Sequence, residues 1–138
     1  MGRHWLVRMK TLLLVEDNRD NADLLRDLLS ERYRLTVFPD GPSALRALTE
    51  PEAAVPDLLL LDISLPGLDG VSLLQQIRLQ NRLKSVPALA LTAHAMHSDR
   101  ETLLRAGFNG YLSKPIVDDQ LLLDAIETYT ALPSKVAA

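Results

Sequence analysis

Residues 57–70 read DLLLLDISLPGLDG. The run 58–61 is all leucine, the composition of a central parallel strand covered on both faces. It hands over at once to Asp62, and then to a turn-rich stretch, Ile63 to Gly70, punctuated by Pro66, Gly67, Asp69 and Gly70. Functional loops sit at strand ends, so the placement of this loop points to a site. Three other apolar runs stop in the same way. LLLV (12–15) gives way to Glu16-Asp17, ALAL (88–91) to Thr92, and GYLS (110–113) to Lys114-Pro115. If the four runs are neighbouring strands of one parallel sheet, three carboxylates, a hydroxyl and an ammonium meet in one crevice. Open α/β sheets bind ligands outside the carboxyl ends of their strands.

Between these runs the apolar period alternates between two and 3.6, the mark of repeated strand–helix units. Strands are expected near Lys10–Val15, Arg34–Phe38, Asp57–Asp62, Pro87–Thr92 and Gly110–Ser113. The helices between and after them carry Ala22, Leu25, Leu28 and Leu29; then Ala44, Leu45 and Leu48, opened by Asp40-Gly41-Pro42; then Leu73, Leu74 and Ile77. The fourth helix is expected to start from a capping box made by Ser98 and Glu101 and to end before Gly107. The fifth runs from about Asp118 to Thr130, with Leu122, Ala125, Ile126 and Tyr129 on one face. The fold class is therefore α/β: a five-stranded parallel sheet, doubly wound, in a three-layer sandwich. Right-handed crossovers limit the strand orders, and 2-1-3-4-5 is expected, with the site where the order reverses between the first and third strands.

The chain of 138 residues fits one domain with a substantial core. A formal net charge of −3 gives no basic footprint for nucleic acid, and three Tyr, two Phe and one Trp offer few stacking platforms for bases. No cysteine is present, which rules out disulfides and thiolate metal sites and is consistent with a cytoplasmic setting. In MGRHWLVRMK the apolar stretch is only Trp5-Leu6-Val7, too short for a signal-peptide core or a membrane span. Residues 1–9 read as an extension upstream of a start at Met9, or as a docking segment. Residues 10–131 form the domain, and 132–138 a loose tail.

The chemistry follows from electrostatics. Glu16, Asp17 and Asp62 gathered in one crevice repel, and one would be driven neutral without a partner. A divalent cation resolves this, and oxygen-only ligands favour Mg²⁺ or Mn²⁺. A carboxylate beside a dication and an ammonium can attack phosphorus to give an aspartyl phosphate, with Lys114 neutralising phosphoryl oxygens and Thr92 donating to one. Each residue alone has a plainer reading. Glu16 and Asp17 suit the favourable end of a helix dipole, Thr92 suits a turn, and Lys114 a solvated surface charge. Their order at consecutive strand ends favours the site.

Taken together, VEDN (15–18), LLLLDISLPGLDG (58–70), ALTAHAM (90–96) and AGFNGYLSKPI (106–116) resemble the receiver domain of two-component response regulators over about Lys10–Tyr129. The resemblance implies a flavodoxin-like sandwich with Asp62 as phosphoacceptor. It implies Mg²⁺ held by Asp17, Asp62 and the backbone carbonyl of Ser64, with Glu16 assisting through water. Thr92 and Lys114 would contact the phosphoryl group, and the Lys114-Pro115 bond would be cis. Tyr111 stands at the position of the family's switch aromatic. In such receivers the strand-four hydroxyl moves inward on phosphorylation and the aromatic follows, changing the surface of helix four, strand five and helix five; a Tyr merely half-buried at the sheet edge is the plainer alternative. Ser64 and His94 match positions that tune loss of the phosphoryl group; neither is acidic or an amide, and because Ser64 is short and His94 lacks an obvious basic orienting partner, a fairly long-lived phosphate is expected.

The partners so implied are a sensor histidine kinase or histidine phosphotransfer protein as donor and a downstream protein as target. No membrane or direct nucleic-acid partner is expected. The chain would act as a monomer or a phosphorylation-dependent dimer. It is expected to be a stand-alone receiver signalling by contact, comparable to chemotaxis or cell-division regulators, with the receiver of a hybrid kinase as the alternative. The rival of another class is an aspartyl-phosphate-forming phosphatase of the haloacid dehalogenase type. Such enzymes place a second Asp two residues after the nucleophile, where this chain has Ser64, which disfavours turnover. The phosphate-binding glycine motifs G-x-x-x-x-G-K-[ST] and G-x-G-x-x-G do not occur.

Overall fold

A computed structural model describes residues 9–93 and 97–131, with the backbone alone for 97–99. Residues 1–8 of the expected extension 1–9, the tail 132–138 and His94 lie outside the described residues. The elements are β1 (Thr11–Val15), α1 (Arg19–Leu29), β2 (Arg34–Phe38), α2 (Gly41–Thr49), β3 (Leu58–Asp62), α3 (Gly70–Ile77), β4 (Ala88–Thr92), α4 (His97–Ala106), β5 (Gly110–Ser113) and α5 (Asp119–Thr130). A 3₁₀ turn, Asn81–Leu83, sits between α3 and β4. All strand pairs are parallel and the order is β2-β1-β3-β4-β5.

The leucine runs explain the layering. Along β3, Leu59 and Leu61 face the side covered by α2, α3 and α4, where they meet Leu73, Leu74 and Ile77. Leu58 and Leu60 face α1 and α5, where they meet Leu25, Leu29, Leu122 and Ile126. All four are fully buried, each worth about 1.5–3 kcal/mol. Such a strand has no wet face to lose, which makes it the middle of the sheet.

Helix starts are set by short polar caps in the loops that follow the strands. Asn18 accepts from the Asn21 N–H at 2.9 Å, Asp40 from Ser43 at 2.7 Å and Asp69 from Ser72 at 2.8 Å. Asp118 accepts from Gln120 and Leu121 at 3.0 and 3.2 Å. Each satisfies a donor that the first helical turn would leave unpaired. The expected capping box is corrected here: α4 begins at His97, so Ser98 lies within the helix and is not its cap.

Three strands, β1, β3 and β4, start one residue later than expected, and at the first two the preceding residue makes a tertiary contact. Asp57 stands ahead of β3 and its carboxylate accepts from the Thr11 N–H at 2.7 Å and from the Thr11 hydroxyl at 3.2 Å, which pins β1 against β3. Lys10 precedes β1 and donates to the Thr130 hydroxyl at 2.9 Å, tying the end of α5 to the sheet.

Two arginines brace the loops at the opposite end from the crevice. Arg82 donates to the carbonyls of Leu48, Ala53 and Glu50, holding the connection between α2 and β3. Arg78, at the end of α3, donates to the carbonyls of Leu83, Val86 and Gly107. Among the described residues no helix is long and apolar enough to cross a membrane.

Candidate functional site

The parallel register decides which side chains converge. Val15 is level with Leu61 and Asp62 with Leu91, so Glu16, Asp62 and Thr92 emerge at neighbouring strand ends in the middle of the sheet. Thr92 is level with Ser113, which sets Lys114 just beyond; the Lys114 N–H donates to the Thr92 carbonyl at 2.8 Å. Hydrophobic strands on both sides leave these polar ends as the rim of the core. Glu16, Asp62 and Thr92 are the buried polar residues there, at 2%, 2% and 5% exposure, whereas Asp17 is exposed.

Lys114 is the counter-charge. Its Nζ lies 3.0 Å from Asp62 Oδ2 and 3.1 Å from Glu16 Oε1. The remaining oxygens are held by the backbone: the Ser64 N–H donates to Asp62 Oδ1 at 2.9 Å, and the Asn18 N–H to Glu16 Oε2 at 3.1 Å. Both carboxylates are thus oriented at each oxygen. Burial pushes the Glu16 pKa above its ordinary 4.5, with the Asp62 charge adding to the rise and the Asn18 N–H and Lys114 opposing it. Burial alone would lower the Lys114 pKa, but its bonds to Asp62 and Glu16 leave it above 10.5.

Glu16, Asp17 and Asp62 each place a carboxylate oxygen so that all three lie within 4.8 Å of one another. An all-oxygen set of this charge suits a hard dication of the Mg²⁺ or Mn²⁺ type. Ser64, expected from the resemblance to offer its carbonyl, lies two residues past Asp62 in the same loop, with its N–H already turned to Asp62. That loop is held close by Gly70, whose position would set a Cβ against the Asp62 carbonyl oxygen.

Of the remaining expected residues, Tyr111 is half-buried and packs against the core on the α2, α3 and α4 side, level with Ala90. The Lys114-Pro115 peptide is cis. His94 lies outside the described residues. Sequence reasoning did not reach Arg78, Arg82, or the close approach at Gly70, since single arginines and glycines carry no spacing signal; only the folded loops bring their acceptors and neighbours together.

Comparison with known proteins shows the family of the chain. The response regulator receiver domain family matches residues 12–127. An uncharacterised 14.6 kDa protein of Leptolyngbya boryana is 40% identical over 119 residues, covering 86% of this chain and 88% of that protein. The polar-differentiation response regulator DivK of Brucella ovis is 36% identical over 107 residues, covering 78% and 85%. Among solved structures, the receiver domain of the sensor histidine kinase PA1611 of Pseudomonas aeruginosa, determined with a magnesium ion coordinated in its active-site cleft, superimposes with a TM-score of 0.80 at 37% identity, covering 91% of this chain and all of that one. The protein is a signalling module of the receiver class. The chain belongs to the response regulator receiver domain family.

Proposed function

We propose that this receiver domain accepts a phosphoryl group on Asp62 and signals by a change of surface. The observation that carries the reading is the Asp62 carboxylate. It is buried at a strand end, oriented by Ser64 and Lys114, and within ligand distance of two further carboxylates. In the step, an Asp62 oxygen attacks phosphorus, a P–O bond forms, and the donor's P–N bond breaks, its electron pair leaving with the imidazole of a phosphohistidine. From acetyl phosphate the bond broken is P–O and acetate leaves. Lys114 meets the charge on the phosphoryl oxygens and Thr92 donates to one. A Mg²⁺ or Mn²⁺ held by Asp17, Asp62 and the Ser64 carbonyl, with Glu16 assisting, would neutralise and orient the same oxygens.

The donor is then a sensor histidine kinase or histidine phosphotransfer protein, and the target a protein met through the α4–β5–α5 surface, switched by Thr92 and Tyr111. The protein acts in the cytoplasm, within a domain spanning 10–131. It is a phosphoacceptor and not an enzyme that turns over a substrate: Ser64 stands where a hydrolase of the aspartyl type needs its acid. DivK, covered over 85% of its length, supports a stand-alone regulator. The PA1611 receiver supports the second reading, a receiver belonging to a hybrid kinase. Both use the same chemistry.

Intact mass after incubation with acetyl phosphate, with and without Mg²⁺, tests the reading on wild type and Asp62→Asn. One metal-dependent phosphoryl adduct, lost in the variant, is expected. No adduct on wild type would leave a binding domain without phosphoacceptor chemistry. Continuous phosphate release at many turnovers would instead make it a hydrolase.

A further inference from the structure

The carboxyl end of α4 is held far more firmly than a helix end requires. Its backbone closes on itself through Gly107, at φ +111°: the Gly107 N–H donates to Leu104 and the Phe108 N–H to Leu103, at 3.2 and 3.1 Å. The next residue is clamped to β4 in both directions, the Asn109 N–H donating to the Ala88 carbonyl and the Ala88 N–H to the Asn109 side chain, each at 2.8 Å. Arg78 then crosses from the end of α3. Its Nη2 donates to the Gly107 carbonyl at 3.1 Å, while Nη1 donates to Leu83 at 3.0 Å and also to Val86. One guanidinium thus ties the connection before β4 and the end of α4 to the end of α3, a geometry that an ammonium cannot reproduce.

The other end of α4 begins at His97, five residues beyond Thr92. A ten-residue helix is about 15 Å long. A helix held at its Gly107 end moves by tilting about that end.

We propose that Arg78 makes the Gly107 end of α4 the fixed pivot of the output surface, so that a change at Asp62 and Thr92 tilts α4 about Gly107 and does not carry it bodily across the sheet. This inference rests on the phosphoacceptor reading. Arg78 is a positioning residue: it lies at the opposite end of the sheet from Asp62 and acts through the helix it holds. Removing it frees the far end, and the same signal then spreads into β4 and the loop that follows α4.

Residue-resolved amide hydrogen exchange on the whole chain, with Mg²⁺ and with or without beryllium fluoride as a stand-in for the phosphoryl group, tests this. In wild type the Lys114 amide, bonded to Thr92, is expected to change its exchange rate on adding the fluoride. The Gly107, Phe108 and Asn109 amides should stay within about twofold. In Arg78→Gln those three amides are expected to become responsive by about tenfold, the scale of one charged hydrogen bond. Arg78→Lys should lie between. A purely structural arginine would alter their exchange equally with and without fluoride, and that result overturns the proposal. So does a wild type in which Gly107 to Asn109 respond as strongly as Lys114, a measurement that stands even if the variants fail to fold. A wild type with no responsive amide anywhere would bring down the phosphoacceptor reading and the pivot with it; a response at Lys114 that spares the variant's α4 end would bring down the pivot alone.

Discussion

Lys114 Nζ lies 3.0 Å from Asp62 Oδ2, on a side chain that starts one strand beyond β4 and reaches across it. The same ammonium is 3.1 Å from Glu16 Oε1. One cation therefore serves two buried carboxylates that approach from different strands, and it occupies the place where phosphoryl oxygens on Asp62 would need positive charge.

Replacing Lys114 by Met should cost about 2–3 kcal/mol of stability without metal, because two buried carboxylates lose their shared counter-charge. Mg²⁺ should return part of this, since the same oxygens can gather on a dication. Urea unfolding of wild type and Lys114→Met, with and without Mg²⁺, checks both statements; equal losses in the two conditions would mean that the metal and the ammonium do not share ligands. Phosphorylation of the variant by acetyl phosphate should also be slower.

The pH profile should separate the two ends of this ion pair. Glu16 has its folded pKa raised above 4.5, chiefly by burial, so its contribution to stability is complete below 4.5 and is lost as pH rises through the folded value. Lys114 is raised above 10.5 once its bonds to Asp62 and Glu16 outweigh burial, so its contribution persists through neutrality and is lost only as pH rises through its own folded value. Glu16→Gln cannot ionise. It should flatten the metal-free stability profile above pH 4.5, raise metal-free stability near neutrality, and gain less from Mg²⁺ than wild type. Thermal unfolding across pH, with chelator and then with Mg²⁺, reads all three. A variant that follows the wild-type slope would show that Glu16 is ionised throughout.

The leucine runs carry the fold in plain sight because burial on both faces leaves a strand no polar position to interrupt it, and Leu58–Leu61 are all buried as that composition implies. The site is legible for a related reason: in a parallel sheet, residues ending neighbouring strands must converge, so Glu16, Asp62 and Thr92 meet wherever the order is 2-1-3-4-5. Arg78 was invisible because its acceptors, Leu83, Val86 and Gly107, are backbone carbonyls and have no sequence identity to read. The start of α4 misled because S-x-x-E marks a cap only when the backbone turns at the serine, and here the helix has already begun at His97.

Two glycines set a last contrast between rigid and yielding neighbours. A Cβ at Gly70 would press on the Asp62 carbonyl oxygen and lie 2.9 Å from Ile63 Cα, both backbone atoms at the end of β3. A Cβ at Gly110 would meet the Tyr129 hydroxyl at 2.5 Å and its Cζ at 2.9 Å, the far end of a side chain at the last turn of α5. Gly70→Ala should therefore cost about 2–3 kcal/mol, because only a shift of the strand end relieves it, and should slow phosphorylation by displacing Asp62. Gly110→Ala should cost about 1 kcal/mol or less, because the phenol can swing outward, and should leave phosphorylation by acetyl phosphate intact. Urea unfolding and the phosphorylation rate of the two variants decide it. If Gly110→Ala is the more damaging, Tyr129 is no loose cover but is wedged against β5, and α5 is bound to the strand that carries Tyr111.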